Sequence, residues 1–131
     1  DDTVLKEGDC VLFDVGCVKD GYCSDMTRTF YYKSVSDHCR EVYETTRAAN
    51  EAAIALIRPG VRLCDIDRVA RDLITAKGYG PAFNHRLGHF IGLTDHEYGD
   101  VSSAFDWKVE PGMIFSIEPL NHYSHELDVI A

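Results

Sequence analysis

The apolar positions of the chain change character after its first segment, and this change separates predicted strands from predicted helices. Residues 11–16 and 22–32 are rich in β-branched and aromatic side chains, which is typical of strands. Residues 19–21, Lys-Asp-Gly, form a turn signal between them. The first part of the chain is therefore predicted to be a β-hairpin.

From Ser36 to about Arg58, apolar residues recur every three or four positions, which predicts an amphipathic helix. Either Ser34 or Ser36 can cap the start of this helix, and the Pro59-Gly60 pair marks its end. The sequence therefore predicts one long helix directly after the hairpin.

A second helix is predicted from about Cys64 to Lys77, with Gly78 as its end signal. Residues 78–106 are expected to form a loop with short extended pieces, and residues 113–117 are expected to form a buried strand. A hairpin, two helices and later strands together indicate an α+β domain.

Composition and charge narrow the class of protein. A chain of 131 residues suffices for one domain with its own core, and 45% hydrophobic residues are typical of a globular chain. The net charge of −9, without a basic cluster, argues against a nucleic-acid partner. The sequence has neither a secretion signal nor an apolar stretch long enough for a bilayer, so no membrane partner is expected.

The five cysteines are odd in number and form no CxxC pair. This pattern fits reduced thiols in a cytosolic protein better than a disulfide framework. We therefore expect a soluble, cytoplasmic protein.

Residues 85–97 combine three of the six histidines with two glycines and end in a His-Glu pair. The glycines argue against a helix, so the backbone can lie close to a neighbouring segment while the imidazoles point towards a ligand. A surface loop with scattered histidines is the alternative interpretation.

Two aspartates of the hairpin share one face of the predicted sheet. If the turn is centred between Lys19 and Asp20, Asp14 and Asp25 lie directly opposite each other. If Asp20 and Gly21 are the central turn residues, Asp25 lies diagonal to Asp14. Their separation is roughly 5 to 8 Å in either register, and a divalent cation between them would offset the repulsion. Exposed turn acids are the alternative.

Glu118 is the third candidate acid, because it ends an otherwise apolar strand where an unpaired carboxylate is costly. It can pair with an arginine such as Arg28, or it can act as a metal ligand or proton shuttle. Two aspartates, one histidine and one glutamate form a set that suits Mn²⁺, Co²⁺, Fe²⁺ or Zn²⁺ in a paired site.

Four blocks of the sequence resemble the pita-bread metallopeptidases, most of all the Xaa-Pro aminopeptidase and Xaa-Pro dipeptidase (prolidase) branch. They occur in the same order and at consistent separations: residues 13–16, 22–30, 85–97 and 110–119. The resemblance implies the pita-bread (creatinase/aminopeptidase-like) fold and two divalent metal ions, with Mn²⁺ favoured. It also implies that a metal-bridging hydroxide hydrolyses the bond between an N-terminal residue and proline in short proline-containing peptides.

The resemblance also implies a role for each matching residue. Asp14 matches the terminal aspartate ligand, Asp25 the bridging aspartate and His89 the single histidine ligand. Glu118 matches the glutamate that binds metal and passes a proton from the bridging water to the leaving amine.

Two further histidines match catalytic, substrate-binding positions of the family. His85 and His96 correspond to the histidines that hydrogen-bond the scissile unit and stabilise the tetrahedral intermediate. Neutral or cationic imidazoles suit a place where negative charge develops.

The match fails after Pro119. The family carries a second late glutamate, usually in an Arg-x-Glu-Asp context, which bridges the two metals, and no such motif occurs here. Glu126 is the candidate fifth ligand, although both Glu126 and Asp128 follow Glu118 too soon for the usual hairpin. Leu120 also replaces the glycine that normally follows the Glu-Pro pair.

The extent of the match indicates that residues 1–131 form part of a C-terminal catalytic-type metallopeptidase domain, incomplete at its N-terminus and also at its C-terminus. Such a piece would leave strand edges and apolar faces uncovered. We therefore expect it to form a homo-oligomer or to pair with the rest of the domain.

Two other functions compete with the peptidase. One is a non-catalytic pita-bread module that binds a peptide or partner, which the missing fifth ligand favours. The other is a metal-free amidinohydrolase of the creatinase type, whose relatives lack the full set of two aspartates, histidine and glutamate.

Overall fold

The chain begins with a long β-hairpin. The computed structural model describes residue 2, residues 4–122 and residues 128–130. Strand β1 (Cys10–Lys19) pairs antiparallel with β2 (Tyr22–Tyr31), which confirms the predicted hairpin. Asp20 and Gly21 form the turn with φ angles of 52° and 86°, as a two-residue primed turn requires. This turn selects the second of the two registers, in which Asp25 lies opposite Gly16 and diagonal to Asp14.

Two helices follow the hairpin, as predicted: α1 (Asp37–Leu56) and α2 (Leu63–Ala76). Ser36 rather than Ser34 caps α1, because its side-chain oxygen accepts a hydrogen bond from the backbone N–H of Cys39 at 3.1 Å. The chain leaves α2 through Gly78, whose φ of 87° is easily reached only by glycine.

The core lies between the two helices and the segments that follow them. Its fully buried residues come from α1, α2 and the segments that follow α2, and include Val42, Ala49, Ala53, Leu63, Ile66, Ala70, Ile74, Leu87 and Val101. Asp67 is also buried on α2, which the apolar pattern did not indicate. The packed helices thus give the later, less regular segments a fixed surface.

Short elements complete the described chain. A 3₁₀ helix (Gly80–Ala82) precedes β3 (Gly88–His89), which pairs antiparallel with β4 (Asp100–Val101). Strand β5 (Leu120–His122) pairs antiparallel with β6 (Asp128–Ile130). Helices beside separate antiparallel pairs confirm the α+β prediction.

The segment 113–117 differs from the buried strand that the sequence predicts. Its one ladder contact is an isolated bridge between Phe115 and Phe90, and Ile114 is 63% exposed. It is nevertheless extended beside residues 87–91, through backbone hydrogen bonds from Ser116 N to His89 O and from Glu118 N to Leu87 O, both 2.8 Å. Single hydrogen bonds of this kind fix the segment without forming a regular sheet.

The hairpin has two unlike faces. Asp14 and Asp25 lie on one face, whereas Phe13, Met26 and Phe30 lie on the other and are each about half exposed. Neither α-helix formed by the described residues has the length and apolarity needed to cross a lipid bilayer.

Candidate metal centre

Three side chains from distant parts of the sequence converge at one point. The His89 Nε2 atom lies 3.1 Å from Asp25 Oδ2 and 3.0 Å from Glu118 Oε1. Together these residues offer ligand atoms that all lie within 4.8 Å of one another. The structure thus brings together three of the four ligands that the sequence proposed with most support.

The hydrogen bonding of His89 shows which groups face each other. Its Nδ1 atom lies 3.0 Å from the carbonyl oxygen of Phe90, which can only accept, so Nδ1 carries the hydrogen. In the neutral ring, Nε2 then presents a lone pair to two carboxylates that also present lone pairs. A divalent cation satisfies all three groups, and the donor set therefore fits one. A His89 ring with hydrogens on both nitrogens would form an ion pair with the carboxylates instead. A measurement of metal affinity distinguishes the metal site from this ion pair.

The backbone around His89 is tightly fixed. The side chain is 1% exposed, and the residue pairs with Asp100 of β4. A Cβ atom on the preceding Gly88 would lie 2.0 Å from the carbonyl oxygen of Ser116, which is far inside van der Waals contact. Glycine at 88 therefore lets the His89 segment approach the Glu118 segment.

Ser116 joins these two segments, and the sequence analysis missed its role. Its hydroxyl oxygen accepts from the backbone N–H of His89 at 3.0 Å and lies 3.0 Å from Glu118 Oε1. The sequence could have indicated this role, because Ser116 and Glu118 are two positions apart and therefore lie on the same side of an extended segment.

Asp14 lies beside the converging group rather than within it. It is exposed, and it lines a cavity of about 370 Å³ with Asp25 and Asp95. The diagonal position on a shared face agrees with the sequence analysis, whereas the nearby carboxylate of Asp95 was not foreseen. Asp25 thus faces both His89 and the cavity of Asp14.

The two predicted substrate histidines have different surroundings. The ring of His96 lies 4.0 Å from that of His89 between centroids, and its side chain is 60% exposed. The exposed His85 makes a contact of 3.0 Å from Nδ1 to the carbonyl oxygen of Arg86. Among the described contacts, His96 reaches the three-residue group and His85 does not.

The loop that carries His96 is attached to the hairpin, as expected from its glycines. The carbonyl oxygen of Gly92 accepts from the backbone N–H of Cys23 in β2 at 2.7 Å. Within the loop, Glu97 Oε1 accepts from the backbone N–H of Leu93 at 2.7 Å. A Cβ atom on Gly92 would lie 2.7 Å from that carboxylate, so glycine again allows the close approach.

A buried ion pair on α2 holds the segment of His85. Asp67 is 1% exposed and receives two hydrogen bonds from Arg71, at 3.0 and 2.9 Å. Arg71 also donates to the carbonyl oxygens of Phe83 at 2.8 Å and His85 at 3.1 Å. The i, i+4 spacing of Asp67 and Arg71 could have revealed the pair in the sequence.

Two further expectations concern the surroundings of Glu118. The Glu118 carboxylate contacts His89 and Ser116, and among the described residues it makes no ion pair with Arg28, whose guanidinium donates to the carbonyl oxygen of Thr27. Glu126 lies outside the described residues. A cavity of about 470 Å³ opens beside Asp25 and Glu118, between β2, α1 and residues 116–118.

The donor set formed by Asp25, His89 and Glu118 suits a divalent metal ion. The chain belongs to metallopeptidase family M24, because the sequence model of that family matches residues 1–128. This result confirms the family that the four sequence blocks indicate.

Individual relatives agree with this assignment. A protein of Bacillus subtilis (strain 168) named "Putative dipeptidase YkvY" is 50% identical over 115 residues, which are 88% of this chain and 32% of that protein. The prolidase from Pyrococcus furiosus has a TM-score of 0.95 at 34% identity, over 99% of this chain and 39% of its own. The X-Pro aminopeptidase from Thermotoga maritima MSB8 has a TM-score of 0.94 at 34% identity, over 99% of this chain and 37% of its own.

These similarities confirm the pita-bread fold. They also show how much of the relatives the chain covers. The chain spans about a third of the length of the curated relatives it matches. Its structural neighbours include prolidases and an X-Pro aminopeptidase, so the branch indicated by the sequence is also the one found by structure.

Proposed function

We propose that residues 1–131 form part of the C-terminal catalytic-type domain of a dinuclear metallo-exopeptidase that cleaves between an N-terminal residue and proline. The observation that carries this proposal is the convergence of His89 Nε2 with the carboxylates of Asp25 and Glu118. The lone pairs of these three groups point to one place, where they are costly for folding unless a cation lies between them. The arrangement therefore favours metal binding. Family membership supplies the class of reaction.

Asp14, Asp25, His89 and Glu118 would hold two divalent ions, with Glu126 as the candidate fifth ligand. Oxygen ligands with one imidazole suit Mn²⁺, and also Co²⁺, Zn²⁺ or Fe²⁺. When bound, the ions supply Lewis acidity, which lowers the pKa of a coordinated water and polarises the scissile carbonyl. Asp25 would be the ligand that both ions share, because it contacts His89 and also lines the cavity of Asp14.

Proton transfer and substrate binding are assigned to Glu118, His96 and His85. The Glu118 carboxylate accepts a proton from the attacking water and delivers it to the leaving amine. His96 lies against His89 on the exposed side, where its imidazole can donate to a carbonyl oxygen that gains negative charge. His85 serves the same substrate from the segment that Arg71 holds.

Short proline-containing peptides are the proposed substrates. The cavity of about 470 Å³ beside Asp25 and Glu118 has a volume typical of small-ligand sites. The half-exposed Phe13, Met26 and Phe30 support pairing with the rest of the domain or with a second copy. None of the five cysteines forms a disulfide bond within the described part of the chain, which supports the proposed cytoplasmic location.

The test combines metal analysis with substrate choice. The purified chain, and a longer form that restores the length of the relatives, are assayed with Mn²⁺ on an Xaa-Pro dipeptide and on the matching Xaa-Ala dipeptide. We expect Mn²⁺-dependent cleavage of the Xaa-Pro peptide, lost in Glu118→Gln and retained in the exposed control Asp106→Asn. Cleavage that persists in Glu118→Gln, or that prefers the Xaa-Ala peptide, would contradict the proposal.

A non-catalytic binding module is the second candidate, because Asp14 lies beside the converging group of Asp25, His89 and Glu118 rather than within it. Such a module would bind an Xaa-Pro peptide without cleaving it in either form of the chain. Cleavage that withstands complete metal removal would instead favour the creatinase-type amidinohydrolase chemistry, which the Asp25, His89 and Glu118 cluster opposes.

A further inference from the structure

The Ser116 hydroxyl lies between two of the proposed ligands. Its oxygen is 3.0 Å from the backbone nitrogen of His89 and 3.0 Å from Glu118 Oε1. The same Oε1 atom faces His89 Nε2 at 3.0 Å. One small side chain therefore contacts the backbone of one ligand and the carboxylate of the other.

The direction of the hydrogen bonds follows from counting donors. A serine hydroxyl has one hydrogen, and here its oxygen already accepts from the His89 N–H. The hydrogen can point to Glu118 Oε1 at 3.0 Å or to the His89 carbonyl oxygen at 3.4 Å. That carbonyl oxygen already accepts from Ser116 N at 2.8 Å, and an ionised carboxylate is the stronger acceptor. The hydroxyl therefore donates to Glu118.

We propose that Ser116 is a positioning residue that selects which oxygen of Glu118 faces His89 Nε2, and so prepares the metal centre. This inference rests on the proposed metal-binding function. A carboxylate without such a bond can turn about its last torsion, which is broad and weakly restrained. With Oε1 held by Ser116, the second oxygen stays free for proton transfer.

Three hydrogen bonds to the backbone around residues 116–118 do not involve this hydroxyl, although the hydroxyl also accepts from the backbone N–H of His89. Ser116 N bonds His89 O and Glu118 N bonds Leu87 O, while the side chain of Asn50 on α1 donates to Ile117 O at 2.8 Å. These bonds persist when the hydroxyl is removed. We therefore expect the Ser116→Ala chain to fold, so that a change in metal binding can be measured.

The experiment titrates the full chain with Mn²⁺ by calorimetry and with Co²⁺ by visible absorption, which reports the ligand geometry. Removing a group that orients a ligand costs about 10- to 100-fold in metal affinity, and we expect a loss of this size in Ser116→Ala, with an altered Co²⁺ spectrum. Ser116→Thr keeps the hydroxyl, and position 116 borders the open cavity. The metal affinity and the Co²⁺ spectrum of Ser116→Thr should therefore be closer to those of the wild type.

Two further variants separate orientation from packing. Ser116→Val has the shape of Ser116→Thr without the hydroxyl, so a Thr and Val pair tests the hydroxyl even where Ser116→Ala folds poorly. Ser24→Ala is the matched control, because Ser24 precedes Asp25 but its hydroxyl bonds the backbone N–H of Cys17 at 3.2 Å. We expect Ser24→Ala to bind both metals like the wild type.

Each outcome decides something. Weak binding in Ser116→Ala and Ser116→Val with strong binding in Ser116→Thr supports the proposal. Equal binding by all variants and the wild type overturns the role of Ser116 while leaving the metal centre intact. A wild-type chain that binds neither Mn²⁺ nor Co²⁺ overturns the metal centre and the role of Ser116 together.

Discussion

The candidate metal centre has a buried side and an exposed side, and the chain holds them by different means. On the buried side, His89 is 1% exposed, is tied to Phe90 and Ser116 through hydrogen bonds, and faces Glu118 Oε1 with its Nε2 atom at 3.0 Å. On the exposed side, Asp14 and His85 both face solvent. The buried side is therefore already arranged for a ligand, whereas the exposed side is completed by what binds there.

This difference indicates an order of binding. A site whose groups are already fixed loses little conformational entropy when the ion arrives, so the ion held by Asp25, His89 and Glu118 should bind first. The ion that Asp14 helps to hold should bind later and more weakly. Four substitutions test this contrast.

The largest effect is expected where the exposed side is attached to the core. Arg71→Met leaves the buried Asp67 carboxylate without its partner and frees the carbonyl oxygens of Phe83 and His85. Breaking a buried pair in this way costs about 3–5 kcal/mol in the free energy of unfolding, measured by urea denaturation. Arg47→Met is the matched control, because Arg47 makes exposed pairs with Glu44 and Glu51, so its loss should lower the free energy of unfolding far less. Equal losses would refute the proposed attachment.

The next effect concerns the buried side itself. Removing a residue that only orients a ligand costs about 10- to 100-fold in metal affinity, so removing the ligand His89 itself should weaken Mn²⁺ binding by about 10²-fold or more. His85→Ala removes an exposed histidine of the same sequence block and should leave Mn²⁺ affinity near the wild-type value. Calorimetric titration compares the two, and similar affinities would remove the distinction between the sides.

A smaller effect is expected from closing the gap between the His89 and Glu118 segments. In Gly88→Ala the new Cβ meets the Ser116 carbonyl oxygen, which belongs to the backbone and cannot move alone. Overpacking of this kind costs about 1–3 kcal/mol in stability. In Gly80→Ala the new Cβ meets the side chain of Thr75, which can shift, so its melting temperature should fall less. A greater fall in Gly80→Ala would count against the close approach at Gly88.

The smallest effect is expected at Asp14. Asp14→Asn keeps the shape of the side chain but removes its charge from the cavity that it shares with Asp25. We expect the first Mn²⁺ ion to bind almost unchanged and the second to bind about tenfold more weakly, a difference of about 1.4 kcal/mol. A first ion that is lost in Asp14→Asn would reverse the assigned order.

The sequence was sufficient for the hairpin, for the two helices and for the types of residue at the site. The hairpin and both helices follow from local signals, such as the Asp20-Gly21 turn and the serine cap at position 36, because these depend on neighbours in the chain. Asp25, His89 and Glu118 could be proposed from their chemistry and their family resemblance.

The remaining features depend on contacts between distant segments. The role of Ser116 requires residues 87–91 to lie beside residues 114–118, which local periodicity does not indicate. The burial of Asp67 was not predicted, because the apolar pattern of α2 shows only that its neighbours in the helix are buried. It does not show that Asp67 pairs with Arg71. Segment 113–117 was predicted as a buried strand from its apolar run, although Ile114 is largely exposed.

The most direct measurement is an anomalous difference map at the manganese edge, from crystals of the full chain grown with Mn²⁺. The predicted result is a peak at bonding distance from His89 Nε2 and from carboxylate oxygens of Asp25 and Glu118, the three groups that converge there. A map with no peak among these three side chains at saturating Mn²⁺, or with its strongest peak elsewhere, would contradict the metal centre proposed here.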